Sequence, residues 1–119
     1  MMMNAEIENI FQNFSVDGNS IPVAFNFYDG NADSWIVYSN VDADGSYSGD
    51  DSLMGFITFY DFEVYSKGNY FNILRAVISR MEEAGWEFQP SLCSNDQYER
   101  DTKINSKTLC FAKHVQITN

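Results

Sequence analysis

The sequence predicts a single α+β domain spanning 1–119, with helices and strands in the order α-β-β-β-α-β-β. Three observations carry this expectation. Residues 56–65 alternate with a period of two, so that Phe56, Tyr60, Phe62 and Val64 share a dry side and Ile57, Phe59, Asp61, Glu63 and Tyr65 a mixed one. After Ser66-Lys67-Gly68-Asn69 the period becomes helical: Phe71, Leu74, Val77, Ile78 and Met81 form a stripe, with Arg75, Ser79, Arg80, Glu82 and Glu83 off it. The 119 residues are 45% hydrophobic and 16% aromatic without a change of composition along the chain, which suits one core and argues against disorder.

The remaining elements follow in order. Met3, Ile7, Ile10, Phe11 and Phe14 recur at helical spacing opposite Glu6, Glu8, Asn9 and Gln12, which predicts an amphipathic helix over 3–14. Asp17-Gly18-Asn19 turns the chain into a short strand, Ile21–Phe25, that Pro22 places at an edge or a strand start. A second turn at Asp29-Gly30-Asn31 leads to a strand over 35–41, where Trp35, Val37 and Val41 share a face. The strand over 56–65 and the helix over 69–84 form the spine, and Gly85 stands where a left-handed cap ends that helix. A final hairpin turning at Asp101-Thr102 pairs Trp86 with Ile117, Phe88 with Val115 and Leu92 with Phe111 on one face, and sets Cys93 opposite Cys110. Pro90 and Asn95 mark an irregularity in its first strand.

Charge is unevenly spread. The net charge is −10, yet residues 1–66 carry eleven carboxylates and no Lys or Arg, while residues 67–119 are close to neutral at +1. Such a field disfavours gripping nucleic acid through phosphate contacts; it serves solubility or sets the acidic part of one subunit against the basic part of another. With no cationic leader and no apolar run near ~20 residues, the chain is expected to stay in the cytoplasm and off membranes.

The polar stretch after Val41 imitates a calcium loop. Asn40, Asp42, Asp44 and Asp51 occupy oxygen-donor positions of the EF-hand pattern around Gly45. Its flanks, however, are strand-like, Tyr47 replaces a small aliphatic residue, and Asp51 is too short to replace the bidentate Glu. An acidic hairpin or inter-subunit arm is therefore expected, and no metal or cofactor. Catalytic chemistry is also not expected. The sole histidine, His114, lies four residues along a strand from Cys110, too far for a direct hydrogen bond, and no glycine loop has phosphate-binding spacing. The two cysteines are read as packed free thiols.

The succession of an N-terminal helix, the Ile21-Pro22-Val23 strand, the Trp35-Ile36-Val37-Tyr38 strand, an acidic loop, the aromatic strand ending Phe62-Glu63-Val64-Tyr65-Ser66, the Leu74 helix and a final hairpin resembles the tail-terminator (tail-completion) family of tailed bacteriophages. The resemblance runs from about Ile7 to Val115 and rests on patterns rather than signature motifs. It implies an α+β structural subunit without catalytic residues, a mostly antiparallel sheet of four to five strands flanked by two helices, in a hexameric ring that caps the head-proximal end of the tail tube. That ring stops tube polymerisation, presents a surface for head joining, and lets DNA through its lumen without specific binding. The partners implied are other copies of the chain, the tail tube protein and the head-tail connector, in a virion or a phage-like particle such as a tailocin. The alternatives are another connector component or a small acidic calcium- or ligand-binding module. For the ring, the residues expected at subunit or tube contacts are Asp42, Asp44, Tyr47, Asp50 and Asp51 of the acidic loop, facing Arg75, Arg80, Arg100, Lys103 and Lys107 of a neighbour. The loop has no clear counterpart in the family pattern, so its role is inferred from its composition.

Overall fold

The computed structural model describes residues 3–41 and 56–115. Helix α1 (Asn4–Ile10) leads into a small hairpin of β1 (Ser15–Val16) and β2 (Asn19–Ser20), followed by β3 (Val23–Phe25), β4 (Ser34–Asn40) and β5 (Phe56–Ser66). Helix α2 (Phe71–Glu83), β6 (Glu87–Phe88), a 3-10 turn at Pro90–Leu92, β7 (Gln97–Glu99) and β8 (Ile104–Val115) complete the described chain. The fold is α+β with two helices among the described residues. The sheet differs from the expectation: it is mixed and six-stranded, in the order β3-β4-β5-β8-β6 with β7 also on β8, and β1-β2 form a separate two-stranded sheet.

The mixed character comes from β3, which runs parallel to β4 with Val23 beside Ile36 and Phe25 beside Tyr38. A parallel neighbour usually needs a long crossover, but β3 spans only about 10 Å, a distance that the return over 26–33 can cover at ~3.3 Å per residue. Asn26 starts the return at a φ of 63°. Pro22 sits just before the strand, where its carbonyl accepts the Ile36 amide at 2.9 Å. The turn foreseen at Asp17-Gly18-Asn19 is tight, with φ of 53° at Asp17 and 83° at Gly18, both in the left-handed region that a two-residue hairpin turn requires.

The spine strand behaves as its alternation predicts. Tyr60, Phe62 and Val64 of β5 are fully buried, and their side faces Ile36 and Tyr38 of β4 and Leu109 and Phe111 of β8. Both helices cover this side. From α1 and its following turn come Ile7, Phe11 and Phe14; from α2 come Ile73, Leu74, Val77 and Met81. Helix α1 is shorter than 3–14 because the chain turns at Asn13, with φ 55°, which brings Phe14 edge-on to Phe11 at 5.1 Å. The stripe on α2 is rotated from the expected one: Ile73 is buried while Phe71, in the first turn, is 59% exposed. Gly85 ends α2 at φ 92°, its amide meeting the Glu82 carbonyl while the Trp86 amide reaches back to Met81, which is the Schellman closure.

The last hairpin has two registers. Near the turn Gln97 pairs with Ser106 and Glu99 with Ile104, as expected for a turn at Asp101-Thr102. At its base Phe88 pairs with Phe111 instead of Val115, because the 3-10 turn at Pro90–Leu92 takes residues out of the ladder. The change is even, so Phe88 keeps its side of the sheet and its ring meets Phe111 at 5.4 Å. Leu92, now in the turn, is 55% exposed rather than paired with Phe111. The expected Cys93–Cys110 pairing is not a ladder pair; Gln89 donates to the Cys110 carbonyl, and both thiols are free. The partner foreseen for Trp86, Ile117, lies outside the described residues.

Candidate functional site

The side of the sheet turned away from α1 and α2 carries the most distinctive surface among the described residues. Register places Trp35 of β4, Tyr65 of β5, Ser106 of β8 and Gln97 of β7 in one row across four neighbouring strands. Tyr28, on the return from β3, adds a ring at the outer end. Its ring lies 5.6 Å from Trp35 at 22°, and Trp35 lies 5.1 Å from Tyr65 at 13°, so three rings stand in a near-parallel column. Rings so stacked gain about 0.5–1.5 kcal/mol per pair beyond the area they bury. The Tyr28 hydroxyl accepts the Ala32 amide at 3.2 Å and fixes the return loop.

At Ser106 the column stops, because a serine stands where the next ring would be. A cleft of about 420 Å³ opens there, lined by Trp35, Tyr65, Gln97, Tyr98, Glu99, Thr102, Ile104 and Ser106. The Thr102 hydroxyl donates to Glu99 at 2.6 Å across the tip of the hairpin. The Tyr65 hydroxyl donates to Glu63 at 3.2 Å, and burial together with that carboxylate raises the Tyr65 pKa. A smaller apolar hollow lies further along the same side, lined by Val41, Phe59, Asp61, Leu92 and Cys110. Cys110 and Asp61 are register partners on neighbouring strands. Burial raises the Asp61 pKa, and burial with the neighbouring carboxylate pushes the Cys110 thiol up to about 12. Cys110 is therefore a neutral thiol at pH 7 and a poor nucleophile.

The described members of the predicted contact set fall on α2, the β7–β8 turn and β8. Asp42, Asp44, Tyr47, Asp50 and Asp51 lie outside the described residues. Arg75 is exposed on α2. Arg80 is not free for a neighbour in the way expected, since its guanidinium donates to the Ile10 carbonyl and lies 5.1 Å from the Phe14 ring, joining α2 to α1. Arg100 and Lys103 sit exposed in the β7–β8 turn, while Lys107 is half-buried with its ammonium 3.8 Å from Asp96. A base that sequence reasoning left out of the contact set, Lys113, is held by Glu6 at 2.7 Å and over the Trp86 ring at 5.5 Å. The aromatic column was also missed as a site. Part of its signal was available, because Tyr65 falls on the side of its strand opposite the dry positions; that Trp35 lies opposite the buried Ile36 and Tyr38 emerges only in the structure.

A polar cleft of about 340 Å³ separates the small hairpin from α2, with Asp17, Asn19, Asn69 and Asn72 on its walls. Asn72 donates to Asp17 there at 2.8 Å, so the cleft is bridged by its own side chains. No group of three His, Cys, Asp or Glu side chains able to hold a metal occurs among the described residues. No helix among them is long and apolar enough to cross a membrane. Comparison with models of protein families finds no match, and comparison with curated proteins finds none either.

Proposed function

We propose that the chain is a structural subunit of a phage or phage-like tail, a tail terminator that closes into a ring, hexameric by the family resemblance. The ring caps the head-proximal end of the tail tube, stops its growth and offers the surface to which the head connector joins. The observation that carries this reading is one-sidedness. Both helices lie on one side of the sheet, and the other side presents Trp35, Tyr65 and Leu92 without a second layer among the described residues. A subunit that repeats by setting one layer against the uncovered side of the next makes a head-to-tail contact, and such contacts close into rings when the rotation permits. The uneven charge of the chain supports the same arrangement, and an acidic lumen passes DNA without holding it.

The test is assembly on its target. Tail tubes polymerised with the purified chain should be of uniform length and carry a ring at one end by electron microscopy. Tubes of uncontrolled length with bare ends would reject the terminator role. A monomer that takes up calcium tightly would instead favour the binding-module alternative for the Asn40–Asp51 stretch.

A further inference from the structure

We propose that the slot over Ser106 receives the Arg75 guanidinium of a second copy of this chain. The inference rests on the ring reading and names the contact by which one subunit holds the next. Shape comes first. Tyr65 and Gln97 flank Ser106 in a single row, so the side of the Tyr65 ring turned away from Trp35 looks across two strand spacings, about 9–10 Å, toward the Gln97 amide. That span holds one flat group at ordinary contact distance from either wall.

Charge and bonding choose the flat group. The charged residue on the slot wall is Glu99, and Glu63 holds the Tyr65 hydroxyl. Lys67 lines only the adjoining hollow, where its ammonium lies 3.8 Å from Asp33. Hydroxyl, amide and carboxylate acceptors beside a tyrosine face suit a planar, many-donor cation far better than a compact ammonium.

Three arginines are candidates to supply it, at positions 75, 80 and 100. Arg80 is bound to Ile10 and Phe14 in its own subunit. Arg100 stands in the turn that forms the slot's own rim. Arg75 is exposed on α2, whose buried residues face the opposite side of the sheet from the slot. One helical turn before it Phe71 is also exposed, giving an aromatic beside an arginine, the pairing that most often anchors an interface. Setting the α2 layer of one copy on the far sheet side of the next, which no helix among the described residues covers, brings Phe71 and Arg75 to the slot, and the contact is heterologous as a ring requires.

Two measurements test this. First, N-acetyl-arginine amide is titrated into the intact chain while tryptophan emission is read; Trp35 lines the slot, and the buried Trp86 gives a steady background. A saturable change is expected, at least tenfold weaker with the lysine amide and absent in Tyr65→Ala. No saturable change, or an equal response to lysine amide, overturns the slot chemistry. Second, assembly is followed by mass in solution and on tail tubes. Arg75→Lys and Phe71→Ser, both at exposed positions, should remain folded and require at least tenfold higher concentration to assemble. Rings forming equally well from Arg75→Lys overturn the inference and leave the ring reading standing. Wild-type chain that never assembles, alone or on tubes, removes the ring reading and the second copy together.

Discussion

At the level of single residues, the side chains that matter most are those whose polar atoms were carried into the sheet. Asp61 stands between Ser39 and Cys110 on the side away from the helices, and burial raises its pKa above 3.8. A carboxyl group with a raised folded pKa binds more protons in the folded state than in the unfolded one, so it loses stability for the protein as pH rises from near the unfolded value through the folded value. Asp61→Asn keeps the shape of the side chain and removes the charge. It should raise the melting temperature at pH 7 and flatten the loss of stability above about pH 4; an unchanged profile would mean that Asp61 is well solvated. The core side chains give a plainer expectation. Phe62 is fully buried against Phe11, Tyr38 and Phe111, so Phe62→Ala should cost about 3–5 kcal/mol, and Leu74→Ala about 2–5 kcal/mol, in chemical denaturation. Losses below about 1 kcal/mol at both would show that the core is assigned to the wrong residues.

At the level of elements, the chain ends its long helix by backbone geometry, and this can be measured separately from packing. At Gly85, with φ 92°, an added Cβ meets nothing closer than the Lys113 side chain at 3.9 Å, so the cost of Gly85→Ala is almost wholly conformational. About 1–2 kcal/mol is expected, and a neutral result would mean that the chain relaxes out of the Schellman closure. This closure, the alternation of β5 and the turn at Asp17-Gly18 were all readable from the sequence, because each depends on neighbours along the chain. What was not readable depends on distant partners. The direction of β3 is set by how the loop over 26–33 folds back, and Phe71 loses its place in the core because Tyr70 and Ile73 fill it instead. The 3-10 turn at Pro90–Leu92 moved the base of the last hairpin but left its tip in the expected register, since an irregularity acts only on the pairs beyond it. Of the column of Tyr28, Trp35 and Tyr65, the sequence placed only Tyr65 on a mixed side and grouped Trp35 with Val37 and Val41; the ring from the loop carried no periodic signal.

At the scale of the whole molecule, charge sets up two opposing effects on assembly, and their competition gives a prediction with a definite sign. A subunit with a net charge of −10 repels its copies, which alone would make neutralised variants assemble faster. In the proposed ring, contacts between the acidic part of one copy and exposed bases such as Arg100 and Lys103 of another would act in the opposite direction and at short range. The molecule measures 50 × 27 × 23 Å, several times the Debye length of ~8 Å at physiological ionic strength, so most of the overall repulsion is screened while charges in contact are screened far less. Under those conditions the contact effect should win. Changing Asp42, Asp44, Asp50 and Asp51 together to Asn is therefore expected to slow ring formation severalfold by light scattering at ~0.15 M salt, with the melting curve of the free subunit little changed. At ~0.01 M salt, where the Debye length grows to ~30 Å, the same variant should lose part of this handicap because its copies repel one another less. Faster assembly than wild type at both salt concentrations would mean that the acidic stretch only keeps subunits apart, and the view of it as a docking element would fall.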